Sequence, residues 1–131
     1  MSLGMKAQDL QQHRWENRLI ILLSENSDSE TLAEQQKLLL ADSAGLAERK
    51  LLVYTITPDS YILGGKTDSW KKQQGVYERL TKNNQPFEFL LVGLDGGIKL
   101  RKTAPVKLAD LYRLIDSMPM RAAEIRRKEN E

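Results

Sequence analysis

The chain has no cysteine, and histidine occurs once, at position 13 of 131 residues. Without a thiol it cannot form disulfides, run thiolate or thiol-redox chemistry, or bind metal through sulfur. Compartment stays open, because cysteine-free proteins occur in oxidising and reducing surroundings alike. A single imidazole offers a metal no second nitrogen ligand. Long apolar runs are also missing: nothing approaches the roughly 20 residues that span a bilayer. No basic region followed by an apolar stretch opens the chain, so no signal peptide is visible. Met1-Ser2-Leu3-Gly4 ahead of Met5 reads as an expression scar, which would have replaced any native leader.

What is present describes one ordinary globular domain, with 40% hydrophobic and 29% charged residues. Acidic residues gather in Glu25 to Glu34 and basic ones in the C-terminal third. The net charge of +2 is too mild to argue for nucleic acid.

The strongest local signal is Phe87 to Lys102, FEFLLVGLDGGIKLRK, two apolar runs joined by a glycine turn. Asp95-Gly96-Gly97 supplies the positive φ that a tight hairpin requires. Ile98 and Leu100 alternate with Lys99 and Arg101, which predicts a strand with one buried and one wet face. Leu19 to Leu23 and Leu51 to Thr57 read as buried strands. Between them, Ser27 with Glu30 and Thr31 with Glu34 have capping-box spacing. Leu32, Gln36 and Leu39 share a helix face there, and Gly45 is a natural stop.

Leu46 to Lys50 is expected as a connector and Pro58 to Asp68 as a loop. Trp70, Val76, Tyr77 and Leu80 recur at helical spacing, with Ser69 as cap and Gly75 costing about 1 kcal/mol inside the helix. Asn83 to Pro86 closes it. Leu108, Leu111, Tyr112, Ile115 and Met118 mark an amphipathic helix, and Pro119 interrupts it or starts a new turn. Residues 1–16 are expected to be a polar leader anchored by Trp15, 17–121 the domain, and 122–131 a charged helical tail. Strands joined through helices are parallel with right-handed crossovers, and the hairpin adds antiparallel strands. The expected fold is a thioredoxin-like α/β/α sandwich with a mixed central sheet ending in an antiparallel hairpin.

Leu90 to Arg101, with Ile115-Asp116-Ser117-Met118-Pro119-Met120-Arg121, resembles a family of small bacterial proteins of unknown function. The same domain type is shared with vertebrate extracellular proteins of the sushi-repeat, Urb and equarin group, described as peroxiredoxin-like. Gln35 and Glu48-Arg49 also fit, and the resemblance runs from Trp15-Glu16-Asn17-Arg18 through Glu124. One departure is Leu94, where a lysine is expected before Asp95. The resemblance implies a thioredoxin-like fold and frequent export from the cytoplasm, with no established activity.

Thioredoxin-type chemistry needs a low-pKa cysteine at the start of the helix after the first strand. Ser24-Glu25-Asn26-Ser27-Asp28 fills that place, and a serine hydroxyl has neither the acidity nor the redox chemistry of a thiol. Anion binding at that helix start is opposed by Glu25, Asp28 and Glu30, so ordinary capping is the better account. Pro86 precedes the strand where a thioredoxin fold carries a cis-proline, and a trans bond ending a helix is the commoner state. His13 reads as an exposed bystander rather than a hydrolase base. Asp59, Asp68, Asp95 and Asp116 lack diagnostic spacing for paired-carboxylate chemistry.

No catalytic, metal or cofactor residue is therefore assigned, and no cofactor is expected. The motif residues of interest are Lys99, Arg101, Asp116, Met118, Pro119, Met120 and Arg121. Lys99, Arg101, Lys102 and Lys107, with Arg121, Arg126, Arg127 and Lys128 beyond, could form a polyanion patch, although lysines on an edge strand also prevent unwanted pairing. No aromatics interleave with them to stack bases, which argues against nucleic acid. An unidentified protein partner is the expected ligand of a non-catalytic binding module. The alternatives are an enzyme using carboxylates near Ser24 to Asp28 and Thr57 to Asp68, or a polyanion binder. A deep pocket lined by Tyr61 and acids would favour the enzyme, and an apolar patch a protein partner. Within Ile115 to Arg121, Met118 and Met120 are expected to flank Pro119 so that one of them tucks under the sheet, while Arg121 reaches back to Asp116. On that view Arg121→Ala costs only about 0–1 kcal/mol if the pair is exposed.

Overall fold

Two strands buried along their whole length form the centre: β2 (Arg18–Ser24) and β6 (Phe87–Val92). A computed structural model describes residues 5–64, 70–82 and 85–130. β2 pairs in parallel with β3 (Leu51–Ile56) on one side and antiparallel with β6 on the other. β4 (Ser60–Leu63) and β5 (Lys71–Gln74) extend the sheet beyond β3, and the two-residue β1 (Met5–Lys6) pairs with β5. β7 (Ile98–Lys102) closes the other edge, giving the order β1-β5-β4-β3-β2-β6-β7. The mixed sheet ending in an antiparallel hairpin is the one expected from the apolar runs.

Period-2 alternation splits the strands between two cores. Ile20, Leu22, Phe89 and Leu91 face α1 (Glu30–Leu40), α2 (Ser43–Glu48) and α4 (Leu108–Asp116), through Leu32, Leu39, Leu46, Leu111 and Ile115. Leu19, Ile21, Leu23, Leu90 and Val92 face the short α3 (Val76–Leu80). Fully buried Gln35 fastens the first layer: its amide donates to the Val106 carbonyl (3.0 Å) and accepts from the Val106 amide (2.6 Å).

Several expected elements differ. Ser29 caps α1, accepting from the Leu32 amide, so neither Ser27 nor Thr31 opens the helix. Gly45 lies inside α2 rather than ending α1. A Cβ there would sit 2.2 Å from the Asp42 carboxylate and 2.7 Å from the Tyr112 hydroxyl, so close approach is what requires glycine. Residues 46–48 are helical, and the expected loop contains β4. The helix expected from Trp70 is instead β5 followed by α3. Gly75 sits between them at φ 72°, and the Gln73 side chain accepts from the Val76 amide (2.8 Å). Helical spacing misled because pairing of Tyr61 with Lys71 and Ser60 with Lys72 outweighs local preference. Ser69 as cap, Asp68, Asn83-Asn84 and the scar at 1–4 lie outside the described residues.

The N-terminal segment is tied in differently from the expected arm. Ala7–His13 is a 3-10 segment, Leu10 packs on the second core, and His13 Nε2 hydrogen-bonds the Tyr54 hydroxyl at 2.8 Å. His13 is thus not a bystander. Trp15 is not the anchor: at φ 71° its amide donates to the Leu94 carbonyl (2.6 Å) while its side chain is 61% exposed.

The alternation expected in β7 also fails. A bulge opposite Leu91–Val92 places Val92 across from Ile98 and Leu91 across from Leu100, adding one residue on β7. One extra residue reverses which face a side chain takes. Ile98 is left on the opposite face from Leu100 and 46% exposed. Arg101, across from Leu90, still alternates with Leu100, but its face is packed too and it meets fully buried Glu88 at 2.8 Å.

Candidate functional site

Thioredoxin-type chemistry would sit at the C-terminal ends of β2 and β3. A cleft of about 360 Å³ lies there, lined by Glu25, Asn26, Ser27, Asp28, Thr57, Asp59, Ser60 and Trp70. Two hydroxyls at this pole, one beside the cleft and one lining it, are engaged by the backbone. Ser24 Oγ donates to the Asn26 carbonyl (2.7 Å), and Thr57 Oγ1 accepts from the Ser60 amide (3.1 Å). No histidine lines the cleft, so no hydroxyl in it has an imidazole base. Tyr61 turns away to meet Tyr54, ring centroids 6.2 Å apart. The bond before Pro86 is trans, and the Pro86 carbonyl accepts from the Glu25 amide (3.0 Å). No group of three or more His, Cys, Asp or Glu that could hold a metal occurs among the described residues.

The opposite pole gathers the motif residues. Arg18, at the start of β2, sends both guanidinium ends to the Glu124 carboxylate (3.3 and 3.1 Å) and one to the Arg49 carbonyl (2.9 Å). Pro119 opens α5 (Pro119–Glu129), where a missing N–H costs nothing, so it starts a helix rather than interrupting one. The α4–α5 corner lets Arg121 donate to Asp116 (3.0 Å), Glu48 (2.9 Å) and Glu124 (3.4 Å). Arg49 clamps Asp116 with two bonds (3.1 and 2.9 Å) and lies 3.7 Å over the Tyr112 ring. Lys128 reaches Glu48 at 3.0 Å, which ties the charged end of α5 to α2. Glu48, Arg49 and Arg121 belong to the segments that carry the family resemblance. Arg18 and Glu124 were not singled out from sequence, and the only available signal was a charge directly abutting the apolar run of β2.

Burial would push the Asp116 and Glu124 carboxyls up, but hydrogen bonds from Arg49 and Arg121, and from Arg18, hold both below the usual carboxylate range. A depressed folded-state pKa contributes stability above the unfolded value of about 4, and that stability disappears as pH falls through the folded value. Urea midpoints should therefore drop between neutral pH and about pH 2. In the paired variant Asp116→Asn, Glu124→Gln the drop should be smaller.

Beside this network a groove of about 280 Å³ runs between the β6–β7 turn and the α4–α5 corner, lined by Leu94, Asp95, Lys99, Met118, Pro119 and Met120. Lys99 pairs with Asp95 at 2.9 Å, so the rim is close to neutral. Met118 packs on the first core and Met120 is 40% exposed. Met118→Ala is expected to cost about 1–2 kcal/mol, below the full-burial range because the side chain is only half-buried. Arg121→Ala should cost about 2–3 kcal/mol, since Arg121 is 6% exposed rather than on the surface. Urea melts of both variants check these values.

A second apolar groove, of about 250 Å³, has Leu40 and Leu63 at its lip. No helix of the described residues is long and apolar enough to cross a membrane.

Residues 9–124 match the sequence model of DUF4174, a domain of unknown function. A sequence comparison with curated proteins finds no match. Among solved structures, the chain is similar to the Plasmodium vivax 2-Cys peroxiredoxin in its reduced form, with a TM-score of 0.56 and 12% identity. That alignment covers 93% of this chain and 85% of the peroxiredoxin. It is also similar to apo Trgpx, a glutathione peroxidase-type protein, with a TM-score of 0.51, 15% identity and 82% of each chain covered. At these identities the likeness establishes the thioredoxin fold alone.

Proposed function

The chain belongs to the DUF4174 family, a domain of unknown function, and from that premise we propose a non-catalytic thioredoxin-like module that binds a protein partner at the β6–β7 turn. One observation carries this reading. Of the five residues with large exposed apolar side chains among the described residues, three adjoin Gly93 and Leu94: Trp15, whose amide bonds the Leu94 carbonyl, and Ile98 and Met120, each lining a cleft shared with Gly93. Tryptophan and methionine are enriched at interface cores, and flexible methionines adapt to the side chain they receive. The occupant of the groove is an apolar side chain of the partner, because the Lys99–Asp95 and Arg18–Glu124 pairs leave no net charge there to select an ion.

Polyanion binding has less support. Lys99, Arg101 and Arg121 each pair with a carboxylate, leaving Lys102, Lys107, Arg126 and Arg127 as exposed cations. An exported setting and kinship with the sushi-repeat, Urb and equarin group are part of the proposal and rest on the hairpin and Met-Pro-Met-Arg resemblance. Fractionation of the native source tests the setting, and recovery only with cytoplasmic markers would remove it.

The binding test uses immobilised protein and an extract of the native source. The double variant Trp15→Ser, Met120→Ser should lose a partner that the parent retains, with an unchanged melting temperature. Retention of the same partner by both proteins would show that the turn is not the contact. Insulin reduction and peroxide turnover should stay at the blank for either protein.

A further inference from the structure

The second face of the sheet is thinly covered. Five-residue α3 and the 3-10 segment leave a gap between them, beside the β6–β7 turn. The gap is a cleft of about 180 Å³ whose floor is Leu19, Ile21, Leu80 and Val92. Arg14 and Arg79 line it, both exposed, and neither guanidinium makes a hydrogen bond or ion pair among the described residues. Arg18, Arg49, Arg101 and Arg121 are by contrast each paired with a carboxylate. Among the described residues no acidic side chain lines this cleft. Arg14 is held over the turn, its Nε about 3.0 Å from where a Cβ on Gly96 would lie. At φ +85°, Gly96 keeps that approach open.

Guanidinium groups remain charged at all ordinary pH values, and their planar fork matches a carboxylate. Two of them over an apolar floor, with no counter-charge, favour an anion that carries an apolar body. Size limits that body. A cavity of about 150 Å³ holds one benzene ring, so a cleft of about 180 Å³ accepts one ring or a branched chain of similar bulk. We propose that this cleft binds a small monocarboxylate bearing one aromatic or branched aliphatic group. The carboxylate meets Arg14 and Arg79, and the apolar group lies on Leu19, Ile21 and Leu80. This goes beyond the partner surface, which is centred on Leu94 and Met120 and has a neutral rim.

The experiment is a titration with 3-phenylpropionate followed by amide NMR, with 3-phenylpropan-1-ol as an uncharged body of the same shape. Saturable shifts are expected at the Asn17, Gly93 and Gly96 amides with the acid. The alcohol should bind at least about tenfold more weakly, and added salt should narrow the difference. In the double variant Arg14→Gln, Arg79→Gln the acid should fall to the level of the alcohol. The fold should survive that change, because neither guanidinium makes a contact that holds the structure. Absence of saturable shifts with the acid would overturn the proposal. So would equal binding of acid and alcohol, undiminished acid binding by the double variant, or shifts confined to the Leu94–Met120 groove.

Discussion

Arg101→Ala is expected to destabilise the protein by about 3–5 kcal/mol, far more than the loss of a surface cation. Glu88 is fully buried, on the face of β6 that carries Leu90 and Val92. Among the described residues three groups reach its carboxylate: the Arg101 guanidinium at 2.8 Å, the Thr81 hydroxyl, and the Lys82 amide at 3.4 Å. Only Arg101 supplies charge. Without it, a carboxylate out of contact with water keeps two neutral donors, too little to offset its desolvation. Arg101 also donates to the Leu80 carbonyl at 3.0 Å, which holds the end of α3. Removing both charges is a different change: Glu88→Leu with Arg101→Met should restore most of the lost stability, because a matched apolar pair has no desolvation cost. Urea denaturation of the two singles and the double gives the coupling directly. A cost for Arg101→Ala below about 1 kcal/mol, as for an exposed pair, would show that Glu88 does not depend on Arg101.

Glu124→Ala is the second large effect, again about 3–5 kcal/mol. Arg18 has a side chain only 2% exposed, and Glu124 is its sole charged partner among the described residues. After the substitution Arg18 keeps one bond, to the Arg49 carbonyl. A permanently charged guanidinium cannot shed its proton to escape burial. Glu124 also accepts from Arg121, so its removal loosens the grip of α5 on the start of β2. Glu124→Gln keeps the acceptor oxygen and the shape while removing the charge, and should fall between the parent and alanine. If glutamine and alanine cost the same, the charge contributes nothing and packing carries the effect.

Both substitutions touch residues that sequence patterning places wrongly or passes over. Arg101 reads as solvent-facing because strict alternation along IKLRK requires it. Arg101 does take the face opposite Leu100, but that face is packed as well, so it meets Glu88 beside Leu90 instead of water; the bulge beside Val92 displaces Ile98, and nothing in the five residues announces it. Glu124 sits in a run of charged helix formers where any one residue looks like the next. Its role depends on Arg18, 106 positions earlier in the chain.

The absence of cysteine, the buried strands around Leu19–Leu23 and Leu51–Ile56, and the Asp95-Gly96-Gly97 hairpin are all legible in the sequence, as is the parallel-then-antiparallel layout. Each rests on interactions between near neighbours, or on a period-2 pattern that only one buried face can satisfy. β4 and β5 escaped notice because short edge strands carry little apolar signal and exist through pairing with β3 and with each other. The Arg121–Asp116 pair was expected from the motif and is present, but the joining of Arg18, Arg49 and Glu124 to it, and the meeting of Arg14 and Arg79 over one cleft, were decided by tertiary structure. Charges attract according to distance in space and dielectric, and separation along the chain contains neither quantity.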